Sequence, residues 1–505
     1  MIIDGGTLRG DINLTAQVCV IGSGAGGAVV AKELAEAGLA VVLLEEGGAY
    51  TGKDFTGDPR QMIDLLYRNH GLTGTVGSVT IPIPLGKCVG GTTVINSGTC
   101  YRAPDYVLEA WHREFGVAHI QEPELRPYFE RVERELNVHA VADAVYGRNS
   151  QFFERGAAAL GFAGARIPRN ERGCMGTGVC ALGCPQDAKQ AMHVSYVPRA
   201  IAAGATVYSR CRAERLLLGS GRAFGVLATL LDGSGHPTGS QLRVLADRVV
   251  VACGALLTPA LLQRSGVPDR SGRLGRNLHI HPAARVVARF DEEVRGWEEV
   301  PQAYNVHAFT REGIFIQGQF VPPALAAPVL PGFGRAHQEL MAQFSHLASF
   351  GALISDVSEG RVRAGRGTWP LVTYRMQAED VRKLTRAISL TAQIFFAGGA
   401  REVYSALFPR PVLRTPAEAQ ALLELTLRPQ DIEMMAFHPQ GTCRMGEDAQ
   451  SAVTNSFGAY HGVQQLYVAD ASLFPSSSKV NPQITIMALA TRIAEQIASD
   501  FRRSN

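Results

Sequence analysis

Residues 18–47 read VCVIGSGAGGAVVAKELAEAGLAVVLLEEG, and their order decides the fold. Val18–Ile21 is an apolar, mostly β-branched run that predicts a buried strand. Gly22, Gly24 and Gly27 follow in G-x-G-x-x-G spacing. A helical run continues to Ala37, and Val41–Leu44 predicts a second strand ending in Glu45. Each part has a task in gripping a dinucleotide. Gly22 permits a tight turn, Gly24 lets the backbone approach a pyrophosphate, and Gly27 lets helix and strand pack closely. The helix N-terminus faces the phosphates. Glu45 stands 23 residues after Gly22, where a carboxylate can accept hydrogen bonds from ribose hydroxyls.

The motif begins almost at the N-terminus, which favours tightly held FAD over NAD. The 505 residues are enough for a large core and more than one domain. Hydrophobic residues make up 46% and charged residues 19%, an ordinary balance for a soluble globular enzyme. A net charge of +3 with no dense basic run gives nucleic-acid binding no support. No apolar stretch reaches the length of a membrane span. Residues 1–17 do not read as a signal peptide, so a cytoplasmic location is expected.

The expected fold class is α/β (α+β): a Rossmann-like FAD-binding domain with an antiparallel-sheet substrate domain inserted into it. Residues 1–100, 171–283 and 430–505 read as the discontinuous FAD domain. Residues 101–170, helical and charged, and 284–429 read as the substrate domain. Within the latter, Gly351–Asp356, Arg361–Ala364 and Leu371–Met376 predict successive antiparallel strands, and Asp380–Ala397 has helical periodicity. Pro322–Gly334 is too rich in proline for a core element. It reads as a lid or entrance loop, or equally as a plain surface loop.

Other segments carry chemistry. Gly86–Gly98 (GKCVGGTTVINSG) offers the Gly90-Gly91 pair, two threonines and Asn96, a suitable cradle for phosphates or a flavin edge. Val249–Gly266 predicts a strand, a turn and a helix started by Thr258-Pro259. GRNLHIHP (Gly275–Pro282) follows. Near the C-terminus FHPQGTCRMG places His438 before a turn, LYVADASLFP predicts a strand ending in Asp470, and Asn481-Pro482 opens a helix. A helix N-terminus beneath a flavin favours its anionic reduced ring.

Together these segments resemble the glucose–methanol–choline (GMC) oxidoreductases, FAD-dependent alcohol oxidases and dehydrogenases, over residues 15–497. The resemblance implies that His438 is the catalytic base and Asn481 its hydrogen-bonding neighbour, at a position that is His or Asn among relatives. It also implies that Glu45 binds the adenosine ribose and that Asp470 approaches the ribityl–phosphate part. Pro482 and Gln483 would meet the ring edge, with Asn96 lining the flavin. Elementary chemistry agrees. Alcohol oxidation removes the O–H proton as hydride leaves for flavin N5, and a neutral imidazole suits that base near pH 7. His279 and His281 read as structural. Some family members link flavin covalently to a His that stands where this chain has Ile95, so FAD is expected to be non-covalent.

Cys174-x5-Cys180-x3-Cys184-Pro185 is the least expected feature. It resembles a stretch in two GMC branches: sugar and gluconate dehydrogenases with a 3Fe–4S centre, and long-chain alcohol oxidases. The latter usually carry a further Cys where this chain has Thr177. A 3Fe–4S cluster, a zinc ion completed by another ligand, and plain thiols or one disulfide all remain open. The other six cysteines read as small buried hydrophobes.

The resulting expectation is an enzyme that oxidises a primary or secondary alcohol, bulky or apolar, to a carbonyl. O2 or another electron acceptor would reoxidise the flavin. The alternative is a dehydrogenase subunit passing electrons through an iron–sulfur cluster to a cytochrome or other acceptor.

Overall fold

A computed structural model describes residues 1–504. The first strand is longer than expected: β1 spans Ile12–Ile21, with its buried end at Val18–Ile21. Helix α1 covers Gly27–Glu36 and β2 covers Val41–Leu44. The long strand β3 (Pro237–Val251) runs parallel to β1 on the side away from β2. Thr206–Ser209 and Ile2–Asp4 extend the parallel run beyond β2, and Leu466–Val468 pairs in parallel with the end of β3. Arg222–Leu231 and Cys211–Gly219 add antiparallel strands at the far side. In register, Ile21 stands opposite both Leu44 and Val251. The carboxyl ends of three parallel strands therefore share one edge, where Rossmann-like sheets bind nucleotides.

Helix α2 spans Gly254–Arg264, so it starts four residues before the expected Thr258-Pro259 and holds Pro259 in its interior. An interior proline leaves the carbonyl four residues back without its donor. Here the hydroxyl of Thr442 donates to that carbonyl, on Ala255, at 2.6 Å. The Thr258 hydroxyl is drawn to the Asp470 carboxylate, which also accepts from the Gly254 N–H at 2.8 Å. A remote turn thus repairs what the local sequence argues against.

The second sheet is antiparallel. Its centre is β4 (Pro282–Arg289), β5 (Ile314–Gly318) and β6 (Leu347–Ile354), with β6 between the other two. Side chains alternate across it. Val286, Phe350 and Ile316 face a core filled by α3 (Ala378–Ala397), where Phe350 stacks on Phe153 at 3.6 Å between ring centres. The intervening residues, Arg285, Gly351 and Gln317, take the opposite face. Arg361–Ala364 and Pro370–Tyr374 form a hairpin as expected, but they pair with Val76–Gly77 and not with β6, so the three predicted strands do not form one meander. The proline-rich segment folds into short turns at Pro323–Ala326 and Ala327–Val329 that wall the cavity described below. The last helix, α4, covers Gln483–Ser504 and packs on α1. Among the described residues, no helix is long and apolar enough to cross a membrane.

Candidate active site

A cavity of about 790 Å³ is lined by both sheets. One end is built mostly from backbone. Gly22 has φ +96°, and a side chain there would lie 2.4 Å from the Ala252 carbonyl. Gly27 is equally closed, with the Gly22 carbonyl 1.8 Å from where its Cβ would stand. Gly24 is the opposite case: no protein atom lies within 4 Å of that position, leaving open space at the cavity wall. Gly26, which the spacing argument passed over, is pressed against the Ala469 carbonyl.

Glu45 is buried at this end. Its carboxylate accepts from the Ser23 N–H at 3.0 Å, the Ser23 hydroxyl at 2.6 Å and the Gly47 N–H at 2.9 Å. Burial pushes its carboxyl up, against these donors. Glu46 pairs with Arg68 at 2.6 Å, which holds its carboxyl below the usual range despite burial. Arg264 lies on the same side with Nε and Nη1 buried and unpartnered. Open space at Gly24 and orphaned guanidinium donors beside two carboxylates fit the phosphates and ribose of FAD.

The loop after Gly90 and Gly91 makes the middle of the wall through Thr92, Thr93, Ile95, Asn96 and Ser97. Asn96 donates from Nδ2 to Gln483 Oε1 at 2.8 Å and accepts from the Gly98 N–H at 3.0 Å. Gln483 in turn donates to the Thr99 carbonyl at 2.9 Å. This clasp fixes the loop to the start of α4, next to Pro482. Asp470 also lines the wall. Its carboxylate caps Ser472 and holds Gly254 and Thr258, so it spends its lone pairs on joining its own turn to the start of α2.

His438 and Asn481 meet as expected: Asn481 Nδ2 lies 3.3 Å from His438 Nε2. Burial pushes His438 down to about 4, so the ring is neutral near pH 7. Asn481 Oδ1 is buried without a partner. His281, read from the sequence as structural, also reaches this site. Its Nδ1 lies 3.2 Å from His438 Nδ1, and its Nε2 lies 2.6 Å from Ser477 Oγ and 3.0 Å from Gln440 Nε2. Burial, then the two neighbouring rings, hold His281 well below the ordinary histidine range. Two proton arrangements each satisfy part of these contacts. With Gln440 donating to His281 Nε2, His281 Nδ1 donates to His438, whose own proton sits on Nε2. With His281 Nε2 donating to Ser477, the Gln440 amide is left facing an N–H, His438 Nδ1 donates to His281, and the His438 Nε2 lone pair faces the Asn481 amide. The arrangements differ by a proton moved along His438, His281 and Ser477.

The cysteine loop sits behind the middle wall. Cys174, Cys180 and Cys184 line one small pocket with Arg169, Glu171 and Lys189. All nine cysteines are free, and among the described residues no three His, Cys, Asp or Glu side chains are grouped to hold a metal. Of the readings the cysteine spacing left open, the 3Fe–4S cluster and the zinc ion therefore find no support. What the loop holds is protein. Lys189 Nζ donates to the carbonyls of Val94 at 2.7 Å, Asn96 at 2.5 Å and Cys180 at 2.8 Å. Arg169 binds the Ser97 carbonyl and Glu171. Burial pushes Lys189 down to about 8.

Comparison with known proteins identifies the family and agrees with the fold. Family models described as GMC oxidoreductase match residues 63–283 and 357–490. An uncharacterised GMC-type oxidoreductase of Mycobacterium tuberculosis is 40% identical, over 95% of this chain and 75% of its own length. One from Sinorhizobium fredii is 34% identical, over 99% and 98%. A long-chain-alcohol oxidase of Arabidopsis thaliana is 27% identical, over 98% of this chain and 68% of its own length. The fold is similar to that of pyridoxine 4-oxidase from Mesorbium loti, with a TM-score of 0.72 at 19% identity, covering 95% of this chain and 99% of that one.

Proposed function

Because this chain belongs to the GMC oxidoreductase family, an FAD-binding family of enzymes, we propose that it oxidises a primary or secondary alcohol to a carbonyl, with His438 as the base. The observation that carries this reading is the buried, neutral imidazole of His438 beside Asn481, on the wall of a cavity whose other end fits a dinucleotide.

His438 Nε2, with its proton held on Nδ1 and donated to His281, accepts the hydroxyl proton. The Asn481 amide donates to the same oxygen and holds it in place. Bound FAD supplies the acceptor for the hydride that leaves the carbinol carbon. Gly22, Gly24, Gly27 and Glu45 hold the nucleotide part. Gly90, Gly91, Asn96, Asp470, Pro482 and Gln483 frame the rest, and the start of α4 favours negative charge there. Ile95 offers no side chain for a covalent link, so the flavin is bound non-covalently. Most strands of the two sheets support the division into an FAD domain (1–100, 171–283 and 430–505) and a substrate domain (101–170 and 284–429), although Met435–Ala436 pairs with β4 of the antiparallel sheet. Apolar cavity residues such as Phe320, Leu325, Leu353, Met435 and Phe437 favour a bulky or apolar alcohol, with O2 or another acceptor taking the electrons.

The test uses yellow holoprotein under anaerobic conditions with primary and secondary alcohols of increasing chain length. Bleaching of the flavin by at least one apolar alcohol is expected, and acid precipitation should release all FAD. A flavin that no alcohol bleaches would overturn the reading.

A further inference from the structure

The substrate side of the cavity is largely apolar, yet it contains a partly buried cation with no hydrogen-bond partner. Arg285 on β4 lines the cavity, and its Nε and Nη1 are buried with no hydrogen-bond partner. Arg285 and Gln317 on β5 both stand opposite Gly351 of the intervening β6, so all three share the cavity face. Gly351 presents no side chain between them. A Cβ there would lie 2.7 Å from Gln319 Oε1, which places a second amide at the same spot. Gln317 is 3% exposed, and its Oε1 is also buried without a partner. Glu433 is the one carboxylate whose charge reaches Arg285. It makes no ion pair with Arg285, and burial pushes its own carboxyl up.

An uncompensated guanidinium is costly inside a protein, and its forked donors match a carboxylate or similar oxyanion. The Gln317 oxygen would repel such a group, so the Gln317 amide must turn to present its Nε2, which can then donate to a remaining lone pair. We infer that Arg285 and Gln317 form a subsite for an acidic oxygen group, so that the alcohol oxidised here carries a carboxylate or equivalent anion remote from its hydroxyl. Position supports this reading. Pro282, at the start of β4, pairs with Ala436, two residues before His438. That pairing is antiparallel, so His438 comes back to touch His281, and Arg285 lies four residues further along the chain from His281, about 13 Å of extended backbone away. A chain of several carbons, packed against the apolar wall, spans that gap. The identity of the reacting end rests on the alcohol reading proposed above, whereas the anion subsite does not.

The experiment separates the two. Octanoate and octanamide, neither of which has an alcohol to oxidise, are titrated into holoenzyme by calorimetry. Octanoate is expected to bind about tenfold or more tightly than octanamide, the range for one charge-assisted contact. R285M should abolish that preference while keeping its flavin spectrum, and R285K should keep part of it. Equal binding of the two ligands, no binding of octanoate, or a preference that survives in R285M overturns the inference. Failure of every alcohol to bleach the flavin, with octanoate still preferred, would instead remove the alcohol reading and leave the subsite standing.

Discussion

The two ends of the cavity are built by opposite means. At the nucleotide end the wall is backbone, and what matters is the absence of side chains: Gly22 and Gly27 are closed against carbonyls while Gly24 is open to the cavity. At the substrate end the wall is side chains brought from distant strands, with His438, Asn481, Arg285 and Gln317 each supplied by a different segment. The difference teaches how each end tolerates change. A backbone cradle fails as soon as one side chain is added. A side-chain site loses function by degrees and keeps its shape.

Gly24→Val breaks the comparison most severely. Its methyls would fill the open space at Gly24, and the variant should purify colourless, with FAD occupancy near zero and folding retained as judged by circular dichroism. Normal occupancy would place the phosphates elsewhere. His438→Ala should leave FAD bound but slow flavin reduction by alcohol about 10²-fold or more, the usual range for a lost general base. The same residue fixes the pH profile. Burial removes the charged form, so the lone pair stays available as pH falls and is lost only near pH 4. The flavin-reduction rate should therefore hold from pH 8 to about 5 and drop below it. An acid limb centred on the ordinary histidine value of about 6.5 would contradict that environment. Asn481→Ala removes one hydrogen bond and no base, so a loss of about tenfold is expected in stopped-flow reduction. A loss as large as that of His438→Ala would make Asn481 an equal partner.

The same contrast explains what the sequence could reveal. The nucleotide end lies mainly in one 30-residue stretch, where the spacing of glycines and the terminal acid is set by local geometry. Strand, helix and Glu45 could all be read there, although β1 extends back to Ile12. That His438 and Asn481, 43 residues apart, come together was legible through their motifs. His281 was not, because its role comes from a contact with His438 across 157 residues. Arg285 gave no signal either: on an alternating strand an arginine reads as solvent-facing until another layer covers it. The start of α2 was misplaced because the donor that repairs its interior proline, Thr442, comes from a turn far along the chain. The cysteine spacing invited a metal, but the buried ammonium of Lys189 spends its donors on the flavin loop.

One feature of the parallel sheet bears on how the enzyme is made. The cradle is formed by strands near the two extremes of the sequence: Leu466–Val468 closes on β3, and Gln483 clasps the loop at Asn96. During synthesis the Gly22–Glu45 segment has no floor until Leu466–Val468 and Gln483, more than 400 residues further along the chain, have followed it. Cofactor capture is therefore a late event, coupled to long-range strand pairing, which is slow. Before it, the chain carries an exposed apolar edge prone to association. After it, free FAD stabilises the native state in proportion to the logarithm of its concentration. Yield during overproduction should thus follow the flavin supply of the host rather than the rate of translation.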